Sequence, residues 1–269
     1  MTPADTPDLL FTRAMEAQKN GAGGLLLSGG CDPHGRMLNL GKLLPTIKRI
    51  KRETDLIIKL HTGLVDRTLA EGIVEAEVDV ASMEFVGDDD SIKEVFGLDL
   101  GLDAYIDTFQ NLRDAGMKNI SPHVCVGIHR GELRGEFNAL NLIKEHVNPD
   151  SLVIIVFRPT NGTPMGSLPS PTGQSVGRVV AHARKLFPEK KILLGSLRPR
   201  TADKGRSDED DDTRLGIELA ALDHGIDAIE IPSPGLVKIM RERGHLLKRI
   251  EAFGVLPGEY EESIGYRWE

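Results

Sequence analysis

The stretch LIIKLHTGLVDRTLAEGIVEAEVDVASMEF, Leu56 to Phe85, decides the fold. A strand-sized run, LIIKLHTG, gives way at Asp66, an N-cap residue, to the helical segment VDRTLAEGIVEA, and a second strand-sized run, VDVASMEF, follows. A strand, a helix of this length and a second strand form one crossover unit, the element from which parallel sheets are built.

The same alternation runs almost from end to end. An amphipathic helix, Pro7 to Asn20, stops at Gly21 and precedes a strand at Gly24 to Ser28. Helix GKLLPTIKRIKRET leads into LIIKLHTG; beyond Phe85, helix LDAYIDTFQNLRDAG feeds strand ISPHVCVGIH and helix GEFNALNLIKEHV feeds strand SLVIIVFRP. Helix QSVGRVVAHARKLF feeds KILLGSLRP, helix DTRLGIELAALDHG feeds AIEIPSPG, and helix LVKIMRERG starts at Ser233 and Pro234, an N-cap and first-turn pair.

The pattern predicts seven parallel strands and eight helices, with a helix first. A regular barrel has a strand before that helix, so the pattern reads as a TIM-type (β/α) barrel without its first strand; an open doubly wound sheet is the alternative. No linker divides the chain, which implies one barrel domain over residues 1–269 with a C-terminal tail from about 245. Two acidic segments break the rhythm, Gly87 to Asp103 and Thr201 to Thr213. Both lie on the strand-to-helix side; Asp210 to Asp212 in the second suit a helix N-terminus.

Composition narrows the function classes. With 33 Lys and Arg against 41 Asp and Glu the net charge is −8, which supplies no basic field for nucleic acid or anionic lipid. Two cysteines, a start without signal-peptide character and no apolar run near the ~20 residues of a membrane span point to the cytoplasm.

Barrels of this kind hold ligands at the C-terminal ends of their strands. Those ends carry Ser28, Gly29, Gly30 and Cys31; His61 and Thr62; Glu84; His123, Cys125 and His129; Arg158; Ser196, Arg198 and Arg200; and Glu230 and Ser233. Gly29 and Gly30 let a ligand approach the backbone, although such a pair also serves a plain turn, and no G-x-G-x-x-G or phosphate-loop motif is present. Arg198 and Arg200 fall on one side of an extended segment, placed to grip a carboxylate or phosphate, or else to pair with acids of the rim itself. His61, Glu84, His123 and His129 are residue types that ligate divalent metals, without the spacing of a metal motif. Lys59 is the chief lysine for a Schiff-base reading, which the scarcity of strand-end lysines makes unattractive.

The segments GAGGLLLSGGCDPHGR, LHTGLVD, VDVASMEFVGDDDSIKEVFGLDL, ISPHVCVGIHRGELRGEFNAL, FRPTNGTPM and LLGSLRPR, in this order, resemble the radical S-adenosylmethionine superfamily. The likeness is greatest to its biotin synthase and lipoyl synthase side, in archaeal-type form. The resemblance implies that Ser28, Gly29, Gly30, Cys31, Gly127, Arg158, Arg198 and Arg200 face S-adenosylmethionine, with Cys31 where many members have an acid. It leaves His61, Glu84, His123 and Glu230 to line a substrate pocket. Members hold a 4Fe–4S cluster with C-x-x-x-C-x-x-C after the first strand, and this sequence lacks that motif. Strand and cluster loop are therefore expected to be absent together, so this chain alone holds no cluster and performs no radical chemistry. The expected roles are the core of a cofactor-biosynthesis enzyme completed elsewhere, a non-catalytic partner subunit, or an unrelated metal-dependent barrel. The substrate would be a small molecule or a protein-bound group. The open edges at Gly24 and Ile229 predict a homo-oligomer or a partner chain at the seam.

Overall fold

In the computed structural model, which describes residues 2–200, 212–250, 260 and 266–268, the deciding stretch forms the expected unit. Strand β2 (Ile57–His61), helix α3 (Arg67–Glu75) and strand β3 (Val80–Ser82) follow one another, and β2 pairs in parallel with β3. Asp66 caps α3, its carboxylate accepting the Leu69 amide at 2.9 Å. Before this unit lie α1 (Pro7–Lys19), β1 (Gly24–Leu27) and α2 (Leu40–Glu53); after it come α4 (Asp89–Phe96) and α5 (Leu102–Asp114).

The second half repeats the theme. It comprises β4 (Asn119–Ile120), β5 (His123–Val126), α6 (Glu136–Leu142, continued by a π-turn over Ile143–Val147), β6 (Ser151–Val156), α7 (Gly173–Leu186) and β7 (Lys191–Leu194). Then follow α8 (Asp212–Asp223), β8 (Ala228–Ile229), α9 (Pro234–Glu242) and an antiparallel pair, β9 (Lys248–Ile250) with β10 (Tyr266–Trp268). Among the described residues no helix is long and apolar enough to cross a membrane.

Two counts differ from expectation. The parallel strands number eight among the described residues, in ladders β1-β2-β3-β4 and β5-β6-β7-β8, because the run expected as one strand divides into β4 and β5. Pro122 sits at the break, where its missing N–H cannot serve a ladder. The ladders remain joined across it: the Ser121 amide donates to the Ala81 carbonyl at 2.9 Å, His123 to Met83 at 2.8 Å and Phe85 to His123 at 2.7 Å. The helices number nine among the described residues rather than eight, since the first acidic segment contains α4, capped by Asp88 and ended by Gly97 at φ 66°. There Arg134 pairs with both Asp88 and Asp90, so the acids are locally neutralised. The second acidic segment lies outside the described residues as far as Asp211; Asp212 stands in the first turn of α8.

Alternation gives the sheet two faces. Ile58, Leu60, Ala81, Val124, Val126, Leu152, Ile154, Ile192 and Leu194 point outward and pack with the helices into the main core. Each Val, Leu or Ile among them contributes about 1.5–3 kcal/mol on burial. The inner face carries separate apolar groups, Ile57 with Val80 under Tyr260, and Val153 with Leu193. Towards the C-terminal strand ends that face also carries polar groups, Lys59, His61 and Ser82 among them, beside the apolar Ile155. Among the described residues the first ladder begins at β1 and the second ends at β8.

Candidate functional site

Residues Lys59 and His61 of β2 share a face with Ile57, and the register sets Ser82 of β3 beside His61. One strand further on, Glu84 bridges to His123, and Cys125 follows His123 on the same inner face of β5. The sequence therefore places two imidazoles, a carboxylic acid, a thiol and an amine within one parallel-sheet interior.

The imidazoles touch. Nε2 of His61 and Nδ1 of His123 are 3.1 Å apart, so one ring N–H donates to the other ring's lone pair. His123 is 8% exposed and its Nε2 has no partner among the described residues. Burial, followed by the repulsion of the Lys59 ammonium, lowers the His61 pKa to about 4. Burial, then His61 and Lys59, carries His123 well below its ordinary value. Both rings are neutral at pH 7, and a neutral ring offers either a donor or an acceptor at its unpaired nitrogen.

The acid, thiol and amine respond to the same environment. Burial pushes the Glu84 carboxyl up to about 7 against a hydrogen bond from Cys125, and burial together with Glu84 raises the thiol well above its usual value. The Cys125 thiol thus stays protonated while Glu84 titrates near neutrality. Lys59 is 2% exposed, and burial lowers its pKa to about 8 despite the attraction of Glu230. Glu230 receives the Ser196 amide at 2.8 Å. Of the four residues expected to line a pocket, His61 touches His123, Glu84 bridges to His123 through the backbone, and Glu230 acts on Lys59 through its charge.

The rim is less uniform. Cys31 is exposed, and its hairpin folds back on Met37, with the Leu38 amide donating to the Gly30 carbonyl at 2.9 Å. Among the described residues no loop or cap backbone hydrogen bond engages Ser28, which is half-buried, or Gly29, which is exposed. Burial, then the charges of Glu84 and Cys31, raises the Tyr105 hydroxyl above its usual value. Arg158 and Arg200 are half-buried. Gly127, at φ 74°, gives its amide to the buried Glu136 carboxylate at 2.6 Å, and a Cβ there would stand 2.3 Å from Pro171. That glycine is required by the turn.

Arg198 corrects the reading of paired guanidiniums. It is 1% exposed and turns away from the rim, donating to Glu218 at 2.9 Å and to the carbonyls of Gly195, Glu230 and Ile231. The residues beyond Leu194 are not in a strand, so alternation does not align Arg198 with Arg200. Among the described residues the acid that captures it is Glu218 on α8; the Asp-rich loop up to Asp211 lies outside them. His129 is also separated from the other histidines; its Nδ1 lies 3.1 Å from Ser91 Oγ.

Sequence reasoning left three participants unassigned: Cys125 was placed on the rim without a role, Lys59 was set aside, and the Glu218 cluster was missed. Alternation along IIKLH held the signal for Lys59, since it shares a face with His61.

No group of three or more His, Cys, Asp or Glu side chains among the described residues is arranged to hold a metal ion. The sequence has two cysteines, one exposed at the end of β1 and one buried on β5. Two separated thiols do not fit a 4Fe–4S cluster anchored by three.

No protein-family model matches this chain, and no curated protein matches it. Solved structures share its fold. Methylornithine synthase (PylB) superposes with TM-score 0.63 at 14% identity, covering 96% of this chain and 75% of that one. The FeFe-hydrogenase maturase HydG from Carboxydothermus hydrogenoformans gives 0.61 at 14% identity, covering 90% of this chain and 59% of that one. HMG-CoA lyase from Brucella melitensis gives 0.54 at 11% identity, with 98% and 90% covered. This chain therefore spans less than two thirds of the maturase. At such identities the likeness is one of architecture: a mixed α/β fold with parallel sheets, shared alike by the synthase, the maturase and the lyase.

Proposed function

We propose that this chain is the ligand-binding core of a radical S-adenosylmethionine-type barrel, taking S-adenosylmethionine at the Ser28–Cys31 edge and a small substrate against His61, Glu84, His123 and Glu230. One observation carries the reading: part of the inner face is polar, buried and incompletely satisfied, with His123 Nε2 left without a partner among the described residues. Native interiors satisfy most such groups, and an orphaned atom at the opening of β5, on the inner face, marks a place for a ligand. Architecture shared with PylB and HydG supports the superfamily. The biotin and lipoyl synthase character rests on sequence resemblance.

The backbone groups of Ser28 and Gly29 suit the amino and carboxylate ends of S-adenosylmethionine. When bound, the cofactor supplies an electrophilic sulfonium. Glu84, titrating near pH 7, and the neutral His61–His123 pair hold or move a proton at the substrate. The cysteines present do not fit the cluster, so no radical step is assigned to this chain. The seam between β1 and β8 is where a second copy or a partner chain would add its strand.

Calorimetric titration of S-adenosylmethionine into the full chain tests this reading. Saturable one-to-one binding, weakened at least tenfold by Gly29→Val, is expected; absence of heat and of any thermal stabilisation at millimolar ligand overturns it.

A further inference from the structure

Lys59 has no part in the reading above, yet it is the most buried amine on the inner face. It is 2% exposed, sits mid-strand on β2, and among the described residues no hydrogen bond or ion pair reaches its ammonium. The charged and titratable groups that act on it are Glu230, His61 and His123. An ammonium buried without a partner is costly, and a purely structural role would be served better by an apolar residue. Towards the strand ends, His61, Glu84, Ser196 and Glu230 are each partly exposed. A small molecule entering at the strand ends therefore meets the amine below the imidazole pair.

We propose that Lys59 is a covalent carbonyl-binding residue, its amine adding to a small aldehyde or ketone held in the barrel interior. The nitrogen lone pair forms the new bond to the carbonyl carbon while the carbon–oxygen π pair moves to oxygen. A proton leaves nitrogen and one reaches oxygen, for which the unpartnered Nε2 of His123 is the relay. Departure of that oxygen as water, as the second N–H is lost, leaves an imine, so amine plus carbonyl gives imine plus water with no redox change. The lowered pKa of Lys59 agrees, because the free amine is the nucleophile. The inference is independent of S-adenosylmethionine binding.

The test uses the wild-type full chain, glycolaldehyde and cyanoborohydride at pH 7.5, with peptide mapping of the reduced adducts by mass spectrometry. Lys59 is expected to label at least about tenfold faster than exposed Lys19 and Lys93, since its free-amine fraction is far larger. His123→Gln should slow labelling of Lys59 severalfold while leaving Lys19 and Lys93 unchanged. Labelling of Lys59 no faster than that of Lys19 and Lys93 overturns the proposal. So does labelling of Lys59 that is indifferent to His123→Gln in a variant with wild-type circular dichroism.

Discussion

Two buried polar clusters, one around Glu218 and one around Lys59 and His123, differ in how completely they are paired. In the first, Arg198 and Arg214 share Glu218, at 2.9 and 3.0 Å, and Ser233 adds its amide at 3.1 Å and its hydroxyl at 2.5 Å, while Arg198 Nε alone stays unpartnered among the described residues. Glu218 is fully buried with both oxygens satisfied. In the second, Lys59 has no hydrogen-bond partner among the described residues, while Ser121 Oγ and His123 Nε2 are buried without one. A closed cluster fixes the connection between α8, the loop after β7 and α9. The open cluster keeps groups that the described residues leave unpaired, and these are the groups the proposed ligand would satisfy.

Breaking the closed cluster should have the largest effect. Glu218→Gln leaves two guanidiniums buried without a full counter-charge, and the expected loss is about 3–5 kcal/mol in urea unfolding. The same substitution logic applied to the open cluster gives the opposite sign.

Lys59→Met removes a group whose pKa falls from its usual 10.5 to about 8 on folding. The unfolded chain binds that proton more tightly, so wild-type stability rises between about pH 8 and pH 10.5 and the full destabilisation persists below pH 8. Across that window the wild type should gain about 3 kcal/mol relative to Lys59→Met. Parallel curves for the two proteins would mean that Lys59 is not desolvated.

Two serines sharpen the contrast. Ser233 donates to Glu218 and its oxygen accepts the Leu236 amide at 3.2 Å as the cap of α9, so Ser233→Ala should cost about 1–2 kcal/mol. Ser121 is equally buried but its hydroxyl bonds nothing among the described residues, so Ser121→Ala should change thermal stability by less than about 0.5 kcal/mol, or raise it. Smallest of all is Glu16→Ala, which removes an exposed pair with Arg13 and should fall within about 0.5 kcal/mol of wild type.

Local signals carried most of the fold. Asp66 and Ser233 cap the helices they were expected to cap, and the alternation of strand-sized runs with amphipathic segments places every parallel strand. Pro122 was visible but submerged in an apolar run; a single missing N–H divides the ladder without interrupting the sheet's course. Helix α4 was hidden because its acids read as solvated loop, and Arg134, which neutralises them, is more than forty positions away. The site divides along the same line. His61, Glu84, His123 and Glu230 were legible from their strand ends, where alternation fixes direction. Arg198 was misread because its partner Glu218 comes from a different helix, 20 residues on, and nothing local announces that pairing. Gly127 looked available for a ligand; the collision with Pro171 that fills its space is a long-range contact.

The central claim is that the open cluster receives a ligand. Imidazole nitrogen NMR during titration of the full chain with S-adenosylmethionine tests it directly, with His182 and His224 on the outer helices as internal controls. Saturable shifts confined to His61 and His123 are the expected result; shifts at His182 and His224 alone, or none at saturating ligand, would contradict it.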